Sequence, residues 1–91
     1  MARAYVMDFS GGSLDQYDQV LDKMNLGGKT APGGIFHWVA KTDDGFRVVD
    51  VWETPEAYEQ FAQEKIGPLT AEAGLSAPAV EEYEVYNTLA E

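Results

Sequence analysis

The sequence predicts an α+β fold: a four-stranded antiparallel sheet with two helices on one face, in the order β-α-β-β-α-β. Three observations carry that expectation. Residues 3–9, "RAYVMDF", alternate with the period of a strand, and two later stretches open with capping residues and continue with apolar residues at helical spacing. Between them lies a hairpin, "GIFHWVAKTDDGFRVVDVWE", whose strands are apolar on both faces.

Taken in order, Tyr5, Met7 and Phe9 form one face of the first strand, which Gly11 and Gly12 end. Ser13 opens "SLDQ", a capping box in which the serine hydroxyl meets the amide three residues on and Gln16 reaches back. Leu14, Tyr17, Val20, Leu21 and Met24 follow as a buried helical stripe, and Gly27 with Gly28 is expected to stop it. "GGKTAPGG" reads as loop. The hairpin strands are expected at about 35–41 and 46–53, joined by "TDDG" with Gly45 at positive φ. Thr54 caps a second helix with Pro55 at its first position, and Ala57, Tyr58, Phe61, Ala62 and Ile66 mark its inner stripe. Gly67-Pro68 is expected to break that helix, with "PLTAEAG" adding one short turn, and the last strand is expected from Val80 to Asn87. This order is the ferredoxin-like split βαβ plan, over one domain spanning residues 1–91.

Composition narrows the function classes. Sixteen acidic residues against six Lys and Arg give a net charge of −10, which repels phosphate backbones and anionic lipid, so neither nucleic acid nor membrane is an expected partner. No cysteine is present, which removes disulfides and thiolate metal sites. With one histidine, and with Asp15, Asp18 and Asp22 spaced as a solvated helix face, no metal site is expected. The opening residues show neither a signal-peptide run nor a membrane span, so a cytoplasmic protein is expected. The glycines of "GGKTAPGG" match no phosphate loop.

Two helices cover only one face of a sheet. "IFHWVA" and "VVDVW" would leave an apolar patch holding several of Phe36, Trp38, Val49 and Val51 on the other, and a second copy in a two-fold homodimer is its simplest cover. A chain this short buries only about 60–65% of its unfolded surface, so added burial would also stabilise it.

"GIFHWVAKTDDGFRVVDVWET", the helix "PEAYEQFAQEKIGPL" and the final "YEVYN" together resemble the dimeric α/β-barrel superfamily, above all small actinobacterial antibiotic-biosynthesis-monooxygenase-like proteins. The resemblance implies protomers packed sheet to sheet, with a ligand cavity between each sheet and its helices. It also implies a choice of activities: cofactor-free quinone-forming oxygenation, haem degradation, polyketide cyclisation or muconolactone isomerisation. The haem-degrading members carry a histidine ligand on the second helix, and residues 55–66 here have none.

On that mapping the cavity would draw its polar groups from His37, Asp50, the tyrosines and Asn87, with Trp38, Trp52, Tyr83 and Asn87 as substrate-binding candidates. His37 is the candidate general base, because imidazole titrates near neutral pH; its alternative role is that of a packed, hydrogen-bonded residue. Trp38 and Trp52 equally suit core or interface anchoring. Whether Asp50 can orient His37 depends on the hairpin. A loop of two or four residues puts them on one face, whereas a three-residue loop with a bulge at Gly45 separates them. The shared face is favoured, since the other arrangement leaves Asp50 among Phe36, Trp38 and Ala40 without a partner. The expected function is therefore a cofactor-independent monooxygenase-like activity on an aromatic or polyketide-like small molecule. Cyclisation or isomerisation, and a non-catalytic binding or scaffold dimer, are the alternatives.

Overall fold

The computed structural model of the chain describes residues 2–89; Met1, Ala90 and Glu91 lie outside them. The elements run β1 Arg3–Ser10, α1 Leu14–Met24, β2 Gly34–Lys41, β3 Gly45–Trp52, α2 Pro55–Phe61, a π-helical turn Ala62–Ile66, α3 Gly67–Glu72 and β4 Ala79–Glu84. The strands form one antiparallel sheet in the order β2-β3-β1-β4, the arrangement expected of the split βαβ plan.

Local chemistry fixes both helix starts. The Ser13 hydroxyl accepts the Gln16 amide proton at 3.2 Å while the Gln16 side-chain oxygen accepts the Ser13 amide proton at 2.9 Å, closing the capping box. The Thr54 hydroxyl accepts the Ala57 amide proton at 3.1 Å, one residue before Pro55 opens α2. The end of α1 differs from expectation: Asn25, left-handed at φ 55°, caps it before the glycines are reached, because a short polar side chain tolerates that conformation.

Two boundaries are corrected. Gly67-Pro68 does not break the second helix, which continues through the π turn into α3. Gly67 N–H bonds the carbonyl of Ala62, five residues back, and this wider turn sets Pro68 at the start of a new α segment, where a missing amide proton leaves no gap. The last strand stops at Glu84, with one further bond from Val85 N–H to Ala2 O, so Asn87 lies beyond the sheet.

The hairpin decides which side chains share a face. Thr42 N–H bonds Gly45 O at 2.9 Å, leaving Asp43 and Asp44 at the tip of an even-numbered loop, and His37 consequently pairs with Asp50. Gly45 is not at positive φ. Its requirement is close approach, since a Cβ there would sit 1.9 Å from the carbonyl oxygen of Phe9. A bulge does exist, but at the far end of β2: Gly34 faces Trp52 and Phe36 faces Val51, with Ile35 as the extra residue.

One face of the sheet carries Tyr5, Met7, Phe9, Phe46, Val48 and Trp52, all buried, with Tyr17, Ile66 and Leu75 packed on one part and Ala57, Tyr58 and Phe61 on another. The register places Phe36, Trp38, Val49, Val51, Val6 and Tyr83 on the opposite face. There Phe36 and Trp38 are each 41% exposed and Tyr83 is 50% exposed.

Candidate active site

Between the helices and the inner face lies a cavity of about 310 Å³, at the lower end of the range typical of small-molecule sites. Its walls include Met7, Phe9, Val20, Phe46, Val48 and Phe61. Within this apolar lining stands a compact polar cluster formed by Tyr17, His37 and Asp50.

Strand pairing aims the imidazole at the carboxylate. Asp50 Oδ1 lies 2.5 Å from His37 Nδ1, and Asp50 Oδ2 accepts the Trp52 indole N–H at a longer 3.4 Å. Asp50 is only 7% exposed, so its charge depends on these donors rather than on water. A carboxylate cannot donate, so Nδ1 carries the proton in the neutral imidazole and Nε2 keeps its lone pair. That lone pair meets the Tyr17 hydroxyl at 2.6 Å. The three side chains form one chain of hydrogen bonds, Tyr17 O–H to Nε2 and Nδ1–H to Asp50, with the His37 side chain one-third exposed.

The surroundings hold the nearby phenols in their protonated form. Burial pushes Tyr17 above the ordinary tyrosine value, with the negative charges of Asp50 and Asp18 adding to it. Tyr58 is raised by burial and then by Asp50 and Glu82. Tyr5, stacked on Tyr58 at 3.6 Å between ring centroids, is pushed up to about 12 by burial and by Glu82. These groups therefore act as hydrogen-bond donors at neutral pH. Lys29, on the loop between α1 and β2, is the one Lys or Arg among the lining residues.

Of the residues singled out from sequence, the fold brings together His37, Asp50 and Trp52 on the cavity wall. Trp52 is also packed, at 5.2 Å from Phe61 and 6.1 Å from Tyr58 between ring centroids. Trp38 and Tyr83 point away from the cavity: the same register that joins His37 to Asp50 sends Trp38 to the other face with Val49. Tyr83 pairs with Ala4 on that face and donates to Glu81 at 2.8 Å, and Asn87 lies past β4. The sequence places Tyr17 on the helical stripe and counts it among the tyrosines that could reach the cavity, without showing that it is the second partner of His37. Its inward position on α1 was visible as part of the helical stripe, but the contact across 20 positions in the chain was not. Among the described residues no group of three His, Cys, Asp or Glu side chains could hold a metal ion. No described helix is long and apolar enough to cross a membrane.

No family model matches the chain, and no curated protein matches it in sequence. Solved structures do match it in shape over nearly its whole length. SnoaB, a cofactor-independent oxygenase from Streptomyces nogalater, superposes with a TM-score of 0.70 at 19% identity, covering 99% of this chain and 98% of that one. A provisionally named antibiotic biosynthesis monooxygenase of Chloroflexus aurantiacus gives a TM-score of 0.69 at 15% identity over 99% and 98% of the two chains. The haem degrader MhuD of Mycobacterium tuberculosis, with two haems in its active site, is more distant, with a TM-score of 0.54 at 17% identity and 98% coverage of both chains. The chain thus has the α+β ferredoxin-like fold of the antibiotic-biosynthesis-monooxygenase structures, built on a four-stranded antiparallel sheet.

Proposed function

We propose that the protein is a cofactor-independent monooxygenase-like enzyme of secondary-metabolism type, acting on an aromatic or polyketide-like molecule, with His37 as general base and Asp50 as the group that orients it. The observation that carries this reading is the Asp50–His37 pair at 2.5 Å on the wall of an otherwise apolar cavity. Asp50 holds the Nδ1–H tautomer and stabilises the imidazolium formed when Nε2 accepts a proton, and the apolar wall leaves the substrate anion little water to lean on. An anthrone-type substrate so deprotonated is electron-rich enough to react with dioxygen. One oxygen atom becomes the quinone carbonyl, the other leaves as water with the two hydrogens of the oxidised ring carbon, and no external reductant is needed. Trp52 would serve as an aromatic wall for the planar ring system. Both ring nitrogens of the single histidine are engaged within the protein, which gives no support to a haem-ligand role for it.

The test is dioxygen consumption and quinone formation with a hydroxyanthrone. Wild type should turn over, and His37→Ala should fall by about 10²-fold or more. Equal rates in the two would remove His37 as base, and an inert hydroxyanthrone beside ring closure of a poly-β-ketone mimic without dioxygen consumption would point to cyclisation instead.

The working form in this reading is a two-fold homodimer in which a second copy covers Phe36, Trp38 and Tyr83, three large side chains left exposed on one face. Trp38→Glu should weaken self-association at least about thirtyfold, the scale of a buried aromatic anchor, as read by sedimentation. A wild type that sediments as a monomer at every concentration would refute the dimer and leave the site reading intact.

A further inference from the structure

Tyr17 and His37 both line the cavity, and the Tyr17 hydroxyl engages the nitrogen that would act as base. Imidazole nitrogen Nε2 has one lone pair, in the plane of the ring, and the Tyr17 hydroxyl occupies it at 2.6 Å. The two ring planes lie within 8° of each other with centroids 6.0 Å apart, too far for face-to-face stacking, so the rings meet end to end. The phenol is also held from behind. Its ring sits edge-on to Phe46 at 5.8 Å, and the next residue back on α1, Gln16, donates to the carbonyl of Ala73 at 3.0 Å, tying α1 to the end of α3. Withdrawing the Tyr17 ring to expose Nε2 would break its contact with Phe46. Its oxygen, however, can still accept a hydrogen bond from the cavity side while donating to Nε2.

We propose that Tyr17 is a catalytic residue: its hydroxyl oxygen takes the proton of a phenol or enol O–H on the substrate while its own proton passes to Nε2 of His37. This rests on the reading of His37 as base. The electron pair of the broken substrate O–H bond stays on the substrate oxygen, Tyr17 ends as the neutral phenol it began as, and the positive charge rests on an imidazolium paired with Asp50. Burial and the Asp50 charge make a free Tyr17 phenolate unfavourable, so the two transfers occur together. A substrate is then selected for an acidic hydroxyl at the rim of its ring system, able to reach the phenol oxygen, rather than for contact with the imidazole itself.

Tyr17→Phe tests this, because it keeps the ring against Phe46 and removes only the hydroxyl. With a hydroxyanthrone as probe, turnover should fall by about 10²-fold or more, and the wild-type rate in mixtures of light and heavy water should show the bowed dependence of two protons moving in one step. Nitrogen NMR of the wild type needs no variant to fold, and the single histidine makes its signals unambiguous. Nδ1 should carry the proton and Nε2 should be bare. A proton found on Nε2 of the neutral imidazole would overturn the relay, since Nε2 could not then accept. So would Tyr17→Phe as fast as wild type with His37→Ala inactive, which leaves the base reading standing with direct proton transfer. Should His37→Ala match wild type, the base reading and the relay fall together.

Discussion

The two faces of this sheet are made from alternate residues of the same strands, yet one is a closed core and the other leaves large aromatic side chains exposed. On the inner face Phe46 is 1% exposed, and the apolar wall is interrupted by a single buried carboxylate with its own donors. On the outer face Phe36, Trp38 and Tyr83 stand in the open although Val51 is buried, and Arg47 pairs with Asp8 at 2.6 Å. A polar group in the inner face has little water around it and acts on its neighbours at full strength, whereas a charge on the outer face is screened. That difference is why the proposed site falls on the inner face and the proposed dimer contact, with Phe36, Trp38 and Tyr83, on the outer one.

The largest expected effect comes from treating the faces alike. Phe46→Ala removes a side chain that stacks on Phe9 at 4.8 Å and supports Tyr17, and it should cost about 3–5 kcal/mol in urea unfolding. Trp38→Ala removes an even larger side chain from the outer face, away from the cavity, and should cost the isolated chain no more than about 1 kcal/mol. Equal losses would mean that the outer face is already a core in the protomer.

How far the sequence reached follows the same division. Alternation and capping depend on neighbours in the chain, so Tyr5, Met7 and Phe9, the Ser13 box and the Thr54-Pro55 start were all legible. The His37–Asp50 pairing was legible only as a question of parity, which the hydrogen bond between Thr42 and Gly45 answers. Tyr17 was hidden because its contact with His37 depends on how α1 docks over the sheet. The π turn was hidden because Gly-Pro normally ends a helix, and only tertiary packing makes the wider turn worthwhile. Trp38 and Tyr83 were drawn into the cavity by their chemistry, and the sheet's two-residue period sends them to the other side.

A second contrast is in pH. The Tyr5 phenol is pushed up to about 12, with burial as the leading cause, whereas a tyrosine in the unfolded chain titrates near 10. Between those values the unfolded chain releases a proton that the folded chain keeps, so the stabilisation is complete below about pH 10 and is lost as pH rises through about 12. Melting temperature should therefore fall steeply over that span, with Tyr17 and Tyr58 contributing in the same direction. Tyr5→Phe should flatten the fall, and an unchanged slope in that variant would show that the inner face is not what holds this proton.

The smallest effect sharpens the comparison most, because it sets two exposed polar pairs against each other. Ser13 and Gln16 form the capping box of α1, and Arg47 with Asp8 forms the ion pair of the outer face. Ser13→Ala should cost about 1 kcal/mol, and Arg47→Ala, which removes an exposed and screened pair, should cost little, so the two differ little in stability. Their effects on the site should differ plainly. The first turn of α1 carries Gln16, which is tied to Ala73, and Tyr17 follows it immediately, so fraying that turn loosens the phenol from Nε2. Nitrogen NMR of His37 should then move in Ser13→Ala and stay fixed in Arg47→Ala. If both variants left the imidazole signals in place, Tyr17 would be held by the packing of its ring on Phe46 alone, and the cap would serve the helix without serving the site.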